Sequence, residues 1–225
     1  METLQAILRR LNITAWDLFI IGDGSGSGWN SACGWAGCLC DHQSHARRFF
    51  WGGMNLGSVN CAESMPYMQA LTWFDAVYGK ERLKSRGHLN VYVLTDSQTI
   101  ATWGNRAMSP EGTLPRSNIA IWAPMREYRR LGYHCQFYWA ARSTTQLNWA
   151  SDLIAALCRQ EIQRAMDPRI GDGVLSIRAA NAIAKVKFHG PDDQPINPYH
   201  LNPDEEHVNH ADGHDPGTGH SDQPV

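Results

Sequence analysis

Four acidic side chains occupy positions where the sequence predicts that strands end or helices begin. Asp23 closes the first long apolar run, and Asp96 follows a later one in the sequence VYVLTD. Glu63 and Asp152 lie in the first turns of segments with helical periodicity. If the two apolar runs are neighbouring parallel strands, Asp23 and Asp96 lie side by side at the carboxyl ends of those strands, the usual location of sites in α/β sheets.

Such a cluster of carboxylates requires compensation of its charge. Two unit charges about 4 Å apart repel by roughly 4 kcal/mol at an effective dielectric constant near 20, so divalent cations must neutralise the cluster or some of the acids must bind protons. Hard oxygen ligands suit Mg²⁺ or Mn²⁺, and two such ions can clamp the attacking and leaving oxygens of a phosphodiester.

Each acid also has an ordinary structural explanation. Asp23 is followed by glycine, a common turn dipeptide. Glu63 completes a possible capping box with Asn60. Asp96 and Asp152 could each serve the N-terminus of a helix.

Hydrophobic periodicity predicts the elements that would position these acids. After an amphipathic lead-in at Leu4–Leu11, the strands are expected at Trp16–Asp23, Gly34–Cys40, Arg47–Trp51, Leu89–Leu94 and Tyr133–Trp139. The helices are expected at Asn60–Tyr78 with Asn60 as N-cap, Ser97–Trp103, Ile119–Leu131 and Trp149–Met166, with connections at Lys80–Arg86 and Asn105–Arg116. A three-stranded meander followed by helix-linked strands predicts an α/β fold with a five-stranded mixed sheet, three antiparallel strands then two parallel, flanked by helices.

Composition divides the chain into three parts. Residues 1–166 form the expected folded domain, 167–188 an extra C-terminal helix, and 189–225 an acidic, His/Pro/Gly-rich tail that is expected to be disordered. Residues 1–188 hold all 20 Lys and Arg and 14 Asp and Glu, whereas the tail holds eight acids and no Lys or Arg. The body is therefore basic, which is compatible with a polyanionic partner.

Six cysteines without a CxxC pair are typical of small buried residues in a reducing compartment, so we expect a cytoplasmic protein. Cys38, Cys40 and His42 would share one face of a strand, which leaves a metal site there as an alternative. No secretory signal is visible at the N-terminus, and the longest apolar stretch, Leu18–Ile21, is too short to span a bilayer. We therefore expect a monomer with no membrane partner.

Two further features of the sequence bear on possible binding sites: a glycine-rich segment and nine tryptophans. The segment 22–28 lacks the Lys-Ser/Thr ending of a P-loop and the spacing of a dinucleotide-binding loop. Five of the nine tryptophans lie in regular elements and are expected in the core: Trp16, Trp35, Trp51, Trp73 and Trp139. Trp103 and Trp149 are the stronger candidates for exposed platforms on which bases stack.

Four motifs in order make the chain resemble ribonuclease H of type 1, within the ribonuclease H-like superfamily. They are Asp23–Ser25 followed by the glycine-rich second strand, Asn60–Glu63, Thr95–Gln98, and Asn148–Asp152. The resemblance covers roughly residues 16–160 and implies a ribonuclease H-like mixed sheet, with residues 1–166 as the catalytic domain.

This resemblance implies a hydrolase that cuts the RNA strand of an RNA/DNA hybrid with two bound Mg²⁺ or Mn²⁺ ions, leaving 3′-hydroxyl and 5′-phosphate ends. The implied metal ligands and catalytic residues are Asp23, Glu63, Asp96 and Asp152. The implied substrate contacts are Ser25, Ser58, Asn60, Gln98, Arg142 and Asn148. Arg142 stands where the family often has a histidine, and an arginine can contact phosphate but cannot shuttle protons at neutral pH.

Two alternatives remain open from the sequence. The same fold could serve a nuclease acting on branched or single-stranded DNA, as in the Holliday-junction resolvases of the superfamily. It could also serve a catalytically silent nucleic-acid-binding module, because a fold does not fix a function.

Overall fold

The computed structural model describes residues 2–166, apart from the side chains of Leu56, Gln146, Ala150, Glu161 and 164–166. The strands are β1 (Leu18–Ser25), β2 (Ser31–Asp41), β3 (Arg47–Gly57), β4 (Leu89–Thr95) and β5 (Tyr133–Trp139). The helices are α1 (Leu4–Arg10), α2 (Val59–Phe74), α3 (Lys80–Arg86), α4 (Gln98–Met108), α5 (Ile119–Leu131) and α6 (Gln146–Met166). The expected helix at 167–188 and the expected disordered tail at 189–225 lie outside the described residues.

All five strands form one mixed sheet in the order β3-β2-β1-β4-β5. Strand β2 pairs antiparallel with both β1 and β3, whereas β4 pairs parallel with both β1 and β5. The predicted sheet, with its antiparallel first part and parallel second part, is therefore confirmed. None of the helices within residues 2–166 is long and apolar enough to cross a bilayer.

The central strand β1 is buried on both of its faces. Phe19 and Ile21 belong to a hydrophobic cluster shared with α1 and α6, whereas Leu18 and Ile20 belong to a second cluster shared with α2, α4 and α5. Successive side chains of a strand point to opposite faces, so a strand covered on both sides reads as a continuous apolar run. This is why β1 is conspicuous in the sequence.

Two glycines allow helices to lie directly on the sheet. A Cβ atom added at Gly24 would overlap the backbone of Ala62 and Glu63 in α2. A Cβ atom at Gly34 would overlap the carbonyl oxygen of Ala155 and the backbone nitrogen of Arg159 in α6. Because only glycine has no Cβ atom, these positions let the backbones of α2 and α6 approach β1 and β2 closely.

Helix α2 begins earlier than the sequence suggested. Its first residue is Val59, and the Ser58 side chain accepts a hydrogen bond from the backbone N–H of Cys61 at 3.2 Å. The expectation that Asn60 is the N-cap was therefore wrong. A serine two residues earlier offers its hydroxyl to the free N–H groups of the first turn, which is the preferred capping arrangement.

The expected connection at Lys80–Arg86 is instead helix α3, which continues from α2 through a π-helical segment at Asp75–Gly79. Two of its arginines form ion pairs with acids of the sheet region, both at 2.8 Å. Arg82 pairs with Asp41, the last residue of β2, and Arg86 pairs with Asp17, the residue before β1. Lys, Glu, Arg and Leu favour helices, so a charged segment here is a solvated helix.

Helix α4 also runs past its predicted end at Trp103 and reaches Met108. The side chain of Asn105 donates a hydrogen bond to the carbonyl oxygen of Phe137 at 2.7 Å and accepts one from the Phe137 N–H at 2.8 Å. This tertiary pairing with β5 holds the additional turn. The predicted loop from Asn105 therefore begins only after Met108.

We expect the substitution Gly24→Ala to destabilise the protein by about 1–3 kcal/mol or more, because the new methyl group must displace the backbone of α2. Urea unfolding followed by circular dichroism measures this change. Ser25→Ala, one residue further along β1, is the control and is expected to change stability by less than about 0.5 kcal/mol. Equal stability of the two variants would contradict the close-packing argument.

Candidate functional site

Strand register brings Asp23 and Asp96 together. The last residue pair between β1 and β4 is Ile21 with Leu94. Asp23 and Asp96 each follow that pair by two residues, so they occupy equivalent positions at the carboxyl edge of the parallel strands. Asp23 lies within β1 and not at its end, because β2 extends the strand by pairing Asp23 with Ala36.

Helix α2 brings a third carboxylate to the same point. Carboxylate oxygens of Asp23, Glu63 and Asp96 all lie within 4.8 Å of one another. Asp23 is fully buried, Glu63 is buried, and the Asp96 side chain is only 9% exposed. Among residues 2–166, this is the one group of three or more His, Cys, Asp or Glu side chains close enough to share a cation. We call it the carboxylate cluster.

Asp152, the fourth acid, lies at the rim of the carboxylate cluster. It belongs to α6, its side chain is 31% exposed, and it is not among the three residues whose oxygens are mutually within 4.8 Å. Its Oδ1 atom is 3.1 Å from a terminal guanidinium nitrogen of Arg142. The structure thus gathers all four predicted acids in one region and makes Arg142 the link between Asp152 and the others.

Arg142 inserts its guanidinium group among the acids. Its Nε atom donates a hydrogen bond to Asp96 Oδ2 at 2.7 Å and lies 3.5 Å from Asp23 Oδ2. The residue begins a short 3₁₀ turn, Arg142–Thr144, between β5 and α6. Half of the Arg142 side chain remains exposed to solvent. The ion pairs therefore offset part of the repulsion in the carboxylate cluster while leaving Arg142 accessible from outside.

Three oxygens of the carboxylate cluster lack hydrogen-bond donors. Asp23 Oδ2, Glu63 Oε2 and Asp96 Oδ1 are buried and accept no hydrogen bond from any part of the chain that the structure describes. Buried polar atoms are normally paired. The three residues also offer carboxylate oxygens within 4.8 Å of one another. Hard oxygen donors of this kind are the ones that Mg²⁺ or Mn²⁺ prefers, so the residues fit a divalent cation.

Burial and mutual repulsion also change the protonation of the carboxylate cluster. Burial, followed by the negative charge of Asp96, raises the pKa of Asp23 to about 8, although Arg142 opposes this shift. Burial and the charges of Asp23 and Asp96 raise the pKa of Glu63 to about 9. Without a cation, the carboxylate cluster therefore holds protons at neutral pH.

The acidic partners of Arg142 raise its pKa. Partial burial alone would lower it, but the hydrogen bond to Asp96 and the charges of Asp23, Asp96 and Asp152 raise the pKa above its ordinary value. Arg142 is consequently a permanent cation in this site.

The remaining substrate-contact candidates stay predictions, and the structure locates them as follows. Ser25 is the last residue of β1, Ser58 caps α2, Asn60 lies in the first turn of α2, and Gln98 is the exposed first residue of α4. Asn148 is fully buried, and its side-chain amide donates a weak hydrogen bond to the carbonyl of Ala141 at 3.5 Å. Asn148 therefore lies beneath the turn that carries Arg142.

Trp139 is a residue whose position the sequence did not predict. It was expected in the core, yet it is 49% exposed, and its indole N–H donates a hydrogen bond to the backbone carbonyl of Asp96 at 2.9 Å. As the last residue of β5 it extends to the edge of the sheet, beyond the helices that cover Phe137. Trp149 is 41% exposed, as predicted, whereas Trp103 is partly buried against the core.

The alternative metal site at Cys38, Cys40 and His42 is not formed among residues 2–166. All six cysteines are free, and five of them are buried, as expected for small core residues. The cysteines thus belong to the packing of the domain.

No protein-family model and no curated protein sequence matches this chain. Among solved structures it is similar to the ribonuclease H1 LC11, isolated from compost and solved with an RNA/DNA hybrid (17% identity, TM-score 0.49, covering 67% of this chain and 99% of that one). It is also similar to the N-terminal ribonuclease H domain of a Mycobacterium tuberculosis protein, with 14% identity and a TM-score of 0.47. That match covers 68% of this chain and 99% of the other. Ribonuclease H1 from Halobacterium salinarum is similar as well, with 15% identity and a TM-score of 0.46, and the match covers 64% of this chain and 98% of that one.

The likeness to these structures is one of fold. Identities of 14–17% and TM-scores of 0.49 or lower carry no residue roles from those proteins to this one. The function of this chain must therefore be inferred from its own side chains.

The raised pKa values predict that stability in a metal chelator falls as the pH rises from about 5 to about 9. The folded-state pKa values of Asp23 and Glu63, about 8 and about 9, exceed the ordinary values of 3.8 and 4.5. The folded protein therefore binds more protons than the unfolded chain across this window, and the stabilisation is lost as the pH passes through the folded pKa values. Urea unfolding at several pH values measures the slope, up to roughly 1.4 kcal/mol per pH unit for each carboxyl group.

The variant Glu63→Gln should flatten this slope because glutamine does not titrate. The exposed substitution Glu111→Gln is the matched control and should leave the slope unchanged. Comparison of the two variants isolates the contribution of Glu63 to the slope. A stability that rises from pH 5 to pH 9 in the unmodified chain would contradict the assignment.

Proposed function

We propose that this chain is a metal-dependent endonuclease that hydrolyses the RNA strand of RNA/DNA hybrids. The observation that carries the proposal is the buried carboxylate cluster of Asp23, Glu63 and Asp96, whose unpaired oxygens suit a divalent cation. A divalent cation would supply the partner that buried polar atoms normally have and that these oxygens lack among the hydrogen bonds of the described residues.

Asp23, Glu63 and Asp96 would hold the metal, with Asp152 completing the ligand set from the rim. The chemistry that a pair of Mg²⁺ or Mn²⁺ ions supplies in such a site is activation of a water nucleophile and stabilisation of charge on the leaving 3′ oxygen. The contribution of the chain is to hold the carboxylates on one strand, directly after a second strand, and on two helices, where they keep a fixed geometry.

Two neighbours of the carboxylate cluster suit a nucleic-acid strand. The half-exposed guanidinium of Arg142 can bind a phosphate of the scissile strand. The exposed indole of Trp139, fixed by its hydrogen bond to the Asp96 carbonyl, offers a face on which a base can stack.

The charge of the domain supports a polyanionic partner. Residues 2–166 contain 16 Lys and Arg and 12 Asp and Glu, and four of those acids are the ones gathered at the site. Outside the site, where Arg142 is also left out of the count, 15 basic residues face eight acidic ones. This excess favours binding to phosphate backbones and makes the affinity dependent on salt.

The choice of an RNA/DNA hybrid rests on the motifs of the sequence. Asn60 and Gln98 match positions where ribonucleases H contact the hybrid, including its 2′-hydroxyl groups, which distinguish RNA from DNA. Ser25 and Ser58 complete the proposed contacts near the strand end and the α2 N-terminus.

A cleavage assay tests the proposed function. Labelled RNA/DNA hybrid, duplex RNA, duplex DNA and a four-way DNA junction are each incubated with the full-length chain and Mg²⁺ or Mn²⁺. We expect cleavage of the RNA strand of the hybrid alone, with 5′-phosphate on the downstream product. Asp96→Asn and Glu63→Gln should reduce the rate by at least about 100-fold, because each removes a charged ligand.

Glu111→Gln, an exposed glutamate outside the site, is the matched control and should cleave at the unmodified rate. Junction cutting would instead favour a resolvase-like enzyme. Binding without cleavage in either metal would favour a silent binding module. Both results would overturn the proposed activity.

We further expect Trp139→Ala to weaken binding to the hybrid by about 1–3 kcal/mol, the usual contribution of stacking one base on an aromatic ring. Fluorescence anisotropy in EDTA measures binding without cleavage. The control is Tyr78→Ala, an exposed aromatic 15 residues along the helical segment from Glu63 and thus roughly 22 Å from the site. An equal loss in both variants would count against a stacking role for Trp139.

A further inference from the structure

Arg142 contacts carboxyl groups that a metal ion would also use. Its Nε atom lies 2.7 Å from Asp96 Oδ2 and 3.5 Å from Asp23 Oδ2, and its terminal nitrogen lies 3.1 Å from Asp152 Oδ1. It thus contacts three of the four acids. A guanidinium and a divalent cation that share these carboxyl groups would repel each other at close range.

We propose that Arg142 is a tethered counter-cation that competes with divalent metal for the carboxylate cluster and thereby sets the metal concentration at which the site fills. The inference rests on the proposed function, because it takes Asp23, Asp96 and Asp152 as metal ligands. It goes beyond that function by assigning Arg142 a role toward the metal in addition to its expected contact with substrate phosphate.

The backbone that carries Arg142 is fixed at several points. The N–H of Ala140 donates to the carbonyl of Thr95 at 2.9 Å, and the N–H of Thr144 donates to the carbonyl of Ala141 at 2.8 Å. At the N-terminus of the described chain, the Glu2 N–H donates to the carbonyl of Thr144 at 2.7 Å. These bonds hold the turn against β4 and the segment before α1, so rotation of the long Arg142 side chain is the simplest way to free the acids.

The exposure of Arg142 supports this movement. The side chain is 51% exposed, whereas the Asp23 side chain that it contacts is fully buried. The anions are thus fixed in the sheet and the cation lies on the solvent side. With a divalent cation held by the carboxyl groups, the Arg142 side chain would turn outward, where its charge would be available for a phosphate.

Metal affinity tests the competition directly, without reference to activity. The full-length chain and its variants are titrated with Mn²⁺ and followed by isothermal calorimetry and by the electron paramagnetic resonance signal of free Mn²⁺. We expect Arg142→Gln to bind Mn²⁺ about tenfold more tightly than the unmodified chain, within the usual range of coupling between two ligands. Arg142→Lys, which keeps the charge but loses the planar fork, should lie between the two.

Arg130→Gln is the matched control, since it also removes one arginine from an ion pair, with Glu127, but on the exposed face of α5. It should leave Mn²⁺ affinity unchanged. Circular dichroism verifies that each variant is folded, and the lysine variant maintains the test if Arg142→Gln is not. The Nε–H resonance of Arg142 in the unmodified chain should shift as Mg²⁺ is added, reporting loss of the bond to Asp96.

The outcomes separate this inference from the proposed function. Unchanged or weaker Mn²⁺ binding in Arg142→Gln would overturn the competition, even if the chain cleaves hybrids. Tighter binding in Arg142→Gln would support it, even if no substrate is cut. Absence of Mn²⁺ binding in every variant would overturn both.

Discussion

The folded chain confines several negative charges in a small buried volume, and the other features of the site follow from that constraint. Asp23, Glu63 and Asp96 converge within 4.8 Å, a separation at which like charges repel by several kcal/mol even when partly screened. Three kinds of positive charge can offset this repulsion: protons, the guanidinium of Arg142, and a divalent cation. All three act on the same group of acids, so protonation, ion pairing and metal binding are linked equilibria.

Rigid packing prevents the acids from relaxing apart. The β1 strand is covered on both faces, and the buried hydroxyl of Tyr67 on α2 donates a hydrogen bond to the carbonyl of Gly22 at 2.9 Å. Gly24 and Gly34 let two helices rest on the sheet at backbone distance. The energy of the hydrophobic core therefore stabilises a local arrangement that would be unfavourable alone. Functional sites commonly depend on such support from the surrounding fold.

The three carboxylates and Arg142 differ in how firmly the fold holds them. Three carboxylates project from strands or helices, or directly follow a strand, whereas Arg142 lies on a short turn with its side chain half exposed. Fixed anions preserve ligand geometry, and a movable cation can exchange its partners without rearranging the core. Trp139, the last residue of β5, is also exposed to solvent and lies beside the acids, where it donates a hydrogen bond to the Asp96 carbonyl.

Much of the fold could be predicted because its elements carry strong local patterns. The helix at Ile119–Leu131 and the strand at Tyr133–Trp139 were predicted at their observed limits. Two of the errors arose where tertiary contacts decide the outcome. Asn105 prolongs α4 by pairing with the backbone of Phe137, and the exposure of Trp139 depends on where the covering helices end. Neither contact leaves a periodic signal in the sequence.

The sequence by itself determined which residues could do chemistry: four acids next to apolar runs and helix starts, and the motifs that resemble ribonuclease H. Only the tertiary structure decided that Asp152 lies at the rim and that Arg142 pairs with Asp96, a residue 46 positions away in the chain. The physical reason is that periodicity records the local environment of each residue. Distances between side chains depend instead on strand register and helix packing, which the whole chain sets together.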